Sequence, residues 1–148
     1  MNMRPPLHST LRVSYAPERE IATGTPAYLA RKFLSQRTAN MESDCTFCQI
    51  IKGEKPADFL YRSESVVVFK DIRPHAPVHL LIVPTRHIRS LNDLTEEDRD
   101  VISEMILIAK EMARKGSISQ SGYKLLFNVE MGGGQVIPHV HLHLFGGW

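Results

Sequence analysis

Residues 139–145 read His-Val-His-Leu-His-Leu-Phe, an uninterrupted alternation of imidazole and apolar side chains. A period of two is that of an extended strand, which sends successive side chains to opposite faces. His139, His141 and His143 are therefore expected on one face, with Val140, Leu142 and Leu144 on the other. One histidine on a strand is ordinarily structural. Three in register mark a chemical face, because an imidazole is costly to bury unless it is hydrogen-bonded, bound to a metal or opposed to an anion. Two uses fit: His-x-His pairs ligate zinc, and a histidine flanked by hydrogen-bonding neighbours serves as a nucleophile. The loop just before the triad, Gly132-Gly133-Gly134-Gln135, favours the second use. Its glycines let backbone N–H groups approach a phosphate, and a glutamine side chain can orient water or a bridging oxygen.

The rest of the chain supplies a single setting for that strand. At 148 residues it accommodates one domain of ordinary size. With 43% hydrophobic and 23% charged residues and a net charge of +2, the composition is that of a globular protein and gives no reason to expect a nucleic-acid partner. Apolar runs such as residues 66–69 and 80–83 fall far short of the roughly 20 residues that span a bilayer, so no membrane partner is expected. Cys45 and Cys48 lie in one short segment, and one local pair cannot build a disulfide framework. A metal clip or a redox pair in a cytosol-like, cytoplasmic compartment is the expectation.

Residues 1–40 differ from the remainder of the chain: prolines punctuate them, arginines outnumber acids, and no apolar period is sustained. They read as a basic, flexible extension with one short amphipathic stretch at 27–34. The same composition fits a mitochondrial transit peptide, while Met41 offers an alternative start for the domain, 41–148. Within that domain a short helix is expected over residues 47–52, closed by Gly53. Strands are expected next at 61–71 and 78–83, joined by the Ile72-Arg73-Pro74 turn as an antiparallel hairpin. A long helix over 96–115 opens on Thr95 and Asp98 and closes at Gly116. Strands at 123–129 and 137–145 complete the series. Without a βαβ rhythm the order points to an α+β fold with an antiparallel sheet. The apolar residues of the long helix cover more than one stripe, which hints at a homodimer.

His-apolar-His-apolar-His-apolar-apolar is the motif of the histidine-triad superfamily, and the chain resembles that family over residues 44–147. Collinear matches at Cys45-Thr46-Phe47-Cys48, Phe69-Lys70-Asp71-Ile72-Arg73-Pro74, Ala76-Pro77-Val78-His79 and Pro84-Thr85-Arg86-His87 support it. The resemblance is greatest to the nucleotide-binding (Hint) branch, and it implies a five-stranded antiparallel sheet with one long helix and a short N-terminal helix. It further implies an enzyme that cleaves nucleoside 5′-phosphoramidates of the adenosine type. His141 would attack the α-phosphorus to form a nucleotidyl-histidine that water then hydrolyses. His143 would help hold the phosphate and His79 would support the imidazole pair. Asn128, Gly134 and Gln135 would contact phosphate, Asp71 would accept both ribose hydroxyls, and Phe47, Ile50, Phe69 and Ile72 would form the base slot. Family members with Cys-x-x-Cys here bind a structural zinc ion, for which the matching residues are Cys45, Cys48, His87 and His139.

Two departures bear on selectivity. Many members of the branch carry a hydroxyl residue after the loop glutamine, where this chain has Val136, so one phosphate hydrogen bond would fall to the Val136 backbone N–H. Family chains also usually continue past the Gly-Gly pair, whereas this one ends at Trp148. Three rival readings make different predictions: a dinucleoside polyphosphate hydrolase using the same His141 chemistry, a non-catalytic zinc and nucleotide-binding module, and a metalloenzyme in which all three triad histidines are ligands.

Overall fold

The computed structural model describes residues 42–148; the basic extension 1–40, its helical stretch at 27–34 and Met41 lie outside the described residues. Helix α1 spans Thr46–Lys52 and ends on Gly53, whose φ of 81° is the left-handed geometry that turns the chain sharply. Strands β1 (Phe59–Arg62), β2 (Val66–Lys70) and β3 (Val78–Pro84) come next, then two short 3-10 turns and helix α2 (Arg99–Lys115). Strand β4 (Tyr123–Phe127), a 3-10 turn at Met131–Gly133 and strand β5 (Leu142–Gly146) finish the fold. All pairings are antiparallel, in the order β1-β2-β3-β5-β4.

The strand expected over 61–71 is two strands, because Ser63 turns the chain: its N–H and its hydroxyl both donate to the Val66 carbonyl. The Val-Val-Val-Phe run of β2 lacks alternation because both of its faces are covered. Val66 and Val68 pack with Leu80, Ile82, Leu142, Leu144 and the α2 residues Met105, Ala109 and Met112. Val67 and Phe69 pack on the opposite face with Leu81, Val83 and the α1 residues Phe47, Cys48 and Ile50. The long helix begins later than residue 96. A capping box between Thr95 and Asp98 closes a 3-10 turn at Glu96–Asp98, and the α-helix starts at Arg99. At its other end the left-handed residue is Ser117, at φ 56°, and Gly116 keeps an ordinary φ of −79°.

The last strand is shorter than the expected 137–145: ladder pairing begins at Leu142. Residues 139–141 are held by the Val140 N–H bond to the Ile88 carbonyl, 2.7 Å, and keep the alternation, since Val140, Leu142 and Leu144 all face α2. No described helix is long and apolar enough to cross a membrane. Met105 is fully buried between helix and sheet. Met105→Ala should therefore lower unfolding free energy by about 2–5 kcal/mol, as read by urea denaturation.

Candidate active site and metal centre

The face of the sheet away from α2 carries every triad imidazole. Cross-strand register places His143 opposite Leu81 and Phe145 opposite His79, so β3 and β5 together form the floor of a cleft of about 440 Å³. Phe47 and Ile50 of α1 wall one side, residues 69–75 another, and Asn128, Gly134 and Val136 a third.

The hydrogen bonds decide where each imidazole keeps its proton. His141 Nδ1 lies 2.7 Å from the His139 carbonyl, which can only accept, so Nδ1 carries the hydrogen and Nε2 keeps a lone pair. His141 lines the cleft, with Phe47 edge-on at 5.1 Å and His143 at 4.8 Å between ring centres. Burial lowers the pKa of His141, against the hydrogen bond to His139, so the neutral form dominates at neutral pH. On β3 the backbone N–H of His75 donates to His79 Nδ1, 3.2 Å, which places the His79 proton on Nε2. That Nε2–H donates to His143 Nδ1 at 2.9 Å and lies 3.4 Å from Asp71 Oδ2. The proton of neutral His143 is consequently on Nε2, facing the Asn128 side-chain amide at 3.4 Å, and that amide accepts the proton's hydrogen bond only with its oxygen, not its NH2, turned toward the ring. Two neutral imidazoles thus form a polarised relay ending in an N–H donor in the cleft. Phe145 stacks on His143, with planes 7° apart, and fixes its ring.

His139 takes no part in the cleft. Its ring is fully buried, donates from Nε2 to the Pro84 carbonyl at 2.9 Å, and turns the Nδ1 lone pair toward Cys45 Sγ at 3.4 Å and Cys48 Sγ at 3.5 Å. His87 Nδ1 sits 3.3 Å from Cys48 Sγ. Donors bound to one tetrahedral zinc are about 3.3–3.8 Å apart, so this cluster of Cys45, Cys48, His87 and His139 is positioned to hold a metal ion. The carbonyl bond of His139 is the outer support that metal-ligating histidines ordinarily have. Both thiols are free, and burial next to Cys45 pushes the Cys48 thiol up to about 12, a preference for the neutral form that a bound cation would reverse.

Of the residues expected to contact substrate, Phe47, Ile50, Phe69, Asp71, Ile72, Asn128, Gly134 and Val136 line the cleft. Ile72 is 87% exposed and stands at the rim instead of in a closed slot. Asp71 Oδ1 accepts the Arg73 N–H at 2.7 Å, which holds the turn that presents its carboxylate. Gln135 lies apart from them. Its amide accepts from the Glu130 N–H at 2.9 Å and donates to the Arg89 and Ile137 carbonyls, so its side chain braces the loop from beneath and does not reach the cleft. Nor do the triad histidines converge on one ion: among the described residues the metal-competent clusters divide them, His139 with Cys45, Cys48 and His87, His143 with Asp71 and His79, and His141 in neither. The tautomer-setting N–H of His75 had no sequence signal, since any turn residue supplies a backbone donor.

The family described as "Scavenger mRNA decapping enzyme C-term binding" matches residues 44–147. The Purine nucleoside phosphoramidase of Escherichia coli is 38% identical over 107 residues, which cover 72% of this chain and 90% of that protein. A HIT family hydrolase from Legionella pneumophila, of known structure, shares 44% identity with a TM-score of 0.70, covering 71% of this chain and 94% of that one. A histidine triad protein from Clostridium difficile shares 34% identity at a TM-score of 0.69, over 71% and 91% of the two chains.

Burial holds His143 down at about 4 and also lowers His79. Below their ordinary value of 6.5 the unfolded chain takes up protons that the folded chain refuses. Stability is thus full above about pH 6.5 and falls as the pH drops toward 4. The melting temperature should decline already between about pH 6.5 and 5, before carboxylates titrate; a flat profile there would contradict the burial of these imidazoles in the neutral form.

Proposed function

The chain belongs to the histidine-triad superfamily and is an enzyme, and from that premise we propose that it hydrolyses nucleoside 5′-phosphoramidates of the adenosine type to the nucleoside monophosphate. The observation that carries this reading is the His141 imidazole, held by its Nδ1–H bond so that a neutral Nε2 lone pair serves the cleft. In the proposed sequence Nε2 attacks the α-phosphorus, the P–N bond breaks, and the amine leaves after protonation. Water then attacks the nucleotidyl-histidine, releasing the monophosphate and restoring His141.

The chain's other groups fit the remaining tasks. His143 Nε2–H and the backbone around Gly134 and Val136 would hold phosphate oxygens, strengthening as charge develops on them. His79 would keep His143 in the donating tautomer, and the Asp71 carboxylate would accept the ribose hydroxyls. Phe47, Ile50 and Phe69 would receive the base, with Ile72 covering it from the rim. In Gln135's place as a phosphate contact we put the loop backbone that it supports. Cys45, Cys48, His87 and His139 would hold zinc as a closed structural site, cross-linking α1 to the triad segment. The relative of known activity from Escherichia coli supports the purine phosphoramidate assignment over the dinucleoside polyphosphate alternative.

The same reading makes the protein a homodimer of a 41–148 domain working in the cytoplasm. Ile106 and Leu107 of α2 and Leu126 of the edge strand β4 are exposed apolar side chains that a second copy would cover. Sedimentation should give a dimer, shifted toward monomer by Leu107→Asp.

The deciding experiment measures AMP release from an adenosine phosphoramidate and from a diadenosine triphosphate, with bound metal quantified. We expect faster phosphoramidate cleavage, a loss of at least about 10³-fold in His141→Ala, and unchanged zinc in that variant. Preference for the diadenosine substrate would favour the alternative leaving group. AMP binding without turnover would favour a binding module, and zinc lost from His141→Ala would overturn the separation of metal and nucleophile.

A further inference from the structure

The loop that brings Gly134 and Val136 to the cleft starts from an unfavourable residue. Glu130 has φ 58° and ψ 170°. That region is essentially reserved for glycine, because a β-carbon there crowds the adjacent peptide. A side chain persists in it only when the surroundings over-determine the conformation.

The surroundings do so from two directions. The Arg89 guanidinium grips the Glu130 carboxylate bidentately, Nη1 to Oε2 at 2.8 Å and Nη2 to Oε1 at 2.9 Å, and Asn92 adds a bond of 3.3 Å. Asp93 clamps the same guanidinium from its other edge, at 2.8 Å through Nε and 3.1 Å through Nη2. On the backbone side, Gln135 accepts the Glu130 N–H and donates to the Arg89 carbonyl at 2.6 Å, while the Gln135 N–H returns to the Glu130 carbonyl at 2.9 Å. Arg89 is therefore tied to both ends of the loop, by its side chain at Glu130 and by its backbone at Gln135. Its neighbour Ile88 is bonded to Val140 inside the triad segment. An isolated ion pair at 37% and 41% side-chain exposure would be worth little. This one is planar, bidentate and networked, the arrangement in which Arg–carboxylate geometry is most specific.

We propose that Arg89 and Glu130 are positioning residues for the phosphate end of the cleft: their pairing holds Glu130 in its strained conformation and so sets the loop 130–136 against Asn128 and His143. The consequence reaches the site through Gly134. Its φ of 85° continues the turn begun at Glu130, and the Asn128 side chain lies within 3.7 Å of where a β-carbon on Gly134 would stand. Asn128 in turn meets His143. Neither Arg89 nor Glu130 lines the cleft, so neither touches the substrate.

The test rests on the nucleotide reading of the cleft and compares AMP with adenosine as probes, by calorimetry, alongside phosphoramidate turnover. Adenosine would use only the base and ribose part of the site, AMP the loop as well. Arg89→Ala leaves Glu130 strained and unpaired, so AMP affinity and kcat should each fall about tenfold while adenosine affinity stays within about twofold. Glycine accepts the conformation without a partner, so Glu130→Gly alone should stay near wild type. Arg89→Ala combined with Glu130→Gly should recover to within about threefold of wild type, a rescue that a merely structural surface pair would not give. Equal losses for AMP and adenosine, or a double variant no better than Arg89→Ala, would overturn the proposal. If wild type binds AMP but does not cleave the phosphoramidate, the functional reading fails while the AMP-to-adenosine ratio still decides the latch. If it binds neither probe, both fail.

Discussion

The 2.7 Å hydrogen bond from His141 Nδ1 to the carbonyl of His139 is the contact on which the rest of the site depends. It selects the tautomer of His141, and it does so from a residue whose ring is immobilised elsewhere, between the Pro84 carbonyl and the two cysteines. One residue thus uses its side chain to anchor α1 and its backbone to aim the neighbouring imidazole. Alternation makes this possible: on an extended segment, side chains two residues apart share a face, so the ring of His141 lies on the side from which the ring of His139 reaches the cysteines. Phe47, seated between Cys45 and Cys48, touches both rings and carries the clip's rigidity into the cleft.

A second relationship runs across the sheet. Because β3 and β5 pair in register, His79 and His143 come from different strands yet meet at hydrogen-bond distance without a flexible side chain between them. The direction of the relay is set from outside, by one backbone N–H of the turn at His75. Burial then keeps both imidazoles neutral, so the pattern of donors and acceptors is not scrambled near neutral pH. The apolar side of β5, packed on α2, supplies the stability that lets the other side be polar.

Much of this was legible in the sequence because it is periodic or local. The triad alternation, the Cys-x-x-Cys pair, the long helix with its capping box and the strands of an α+β sheet all appear as patterns of residue type. What escaped reading was set by tertiary contact. The break between β1 and β2 depends on Ser63 bonding across a turn, and the Val-Val-Val-Phe run hides it by being apolar on both faces. The retreat of β5 to Leu142 goes with the Val140 N–H bonding the Ile88 carbonyl outside the ladder. Gln135 was readable as a polar residue beside a glycine loop, but its three partners belong to the chain itself. Glu130, the residue in the strained position, has an ordinary identity and no sequence period.

The cleft divides between a floor made of paired strands and walls made of connections. The imidazoles of the cleft stand on or beside β3 and β5, where a shift would cost ladder hydrogen bonds and core packing on the opposite face. Arg73, His75, Val136 and Ile72 stand on segments that pair with no strand and are largely exposed. Exchanges at those positions disturb little of the interior. A fold so partitioned separates what the cleft does from what it admits: an exchange at the rim would change the shape of the opening, whereas one at the triad would have to be absorbed by the sheet itself.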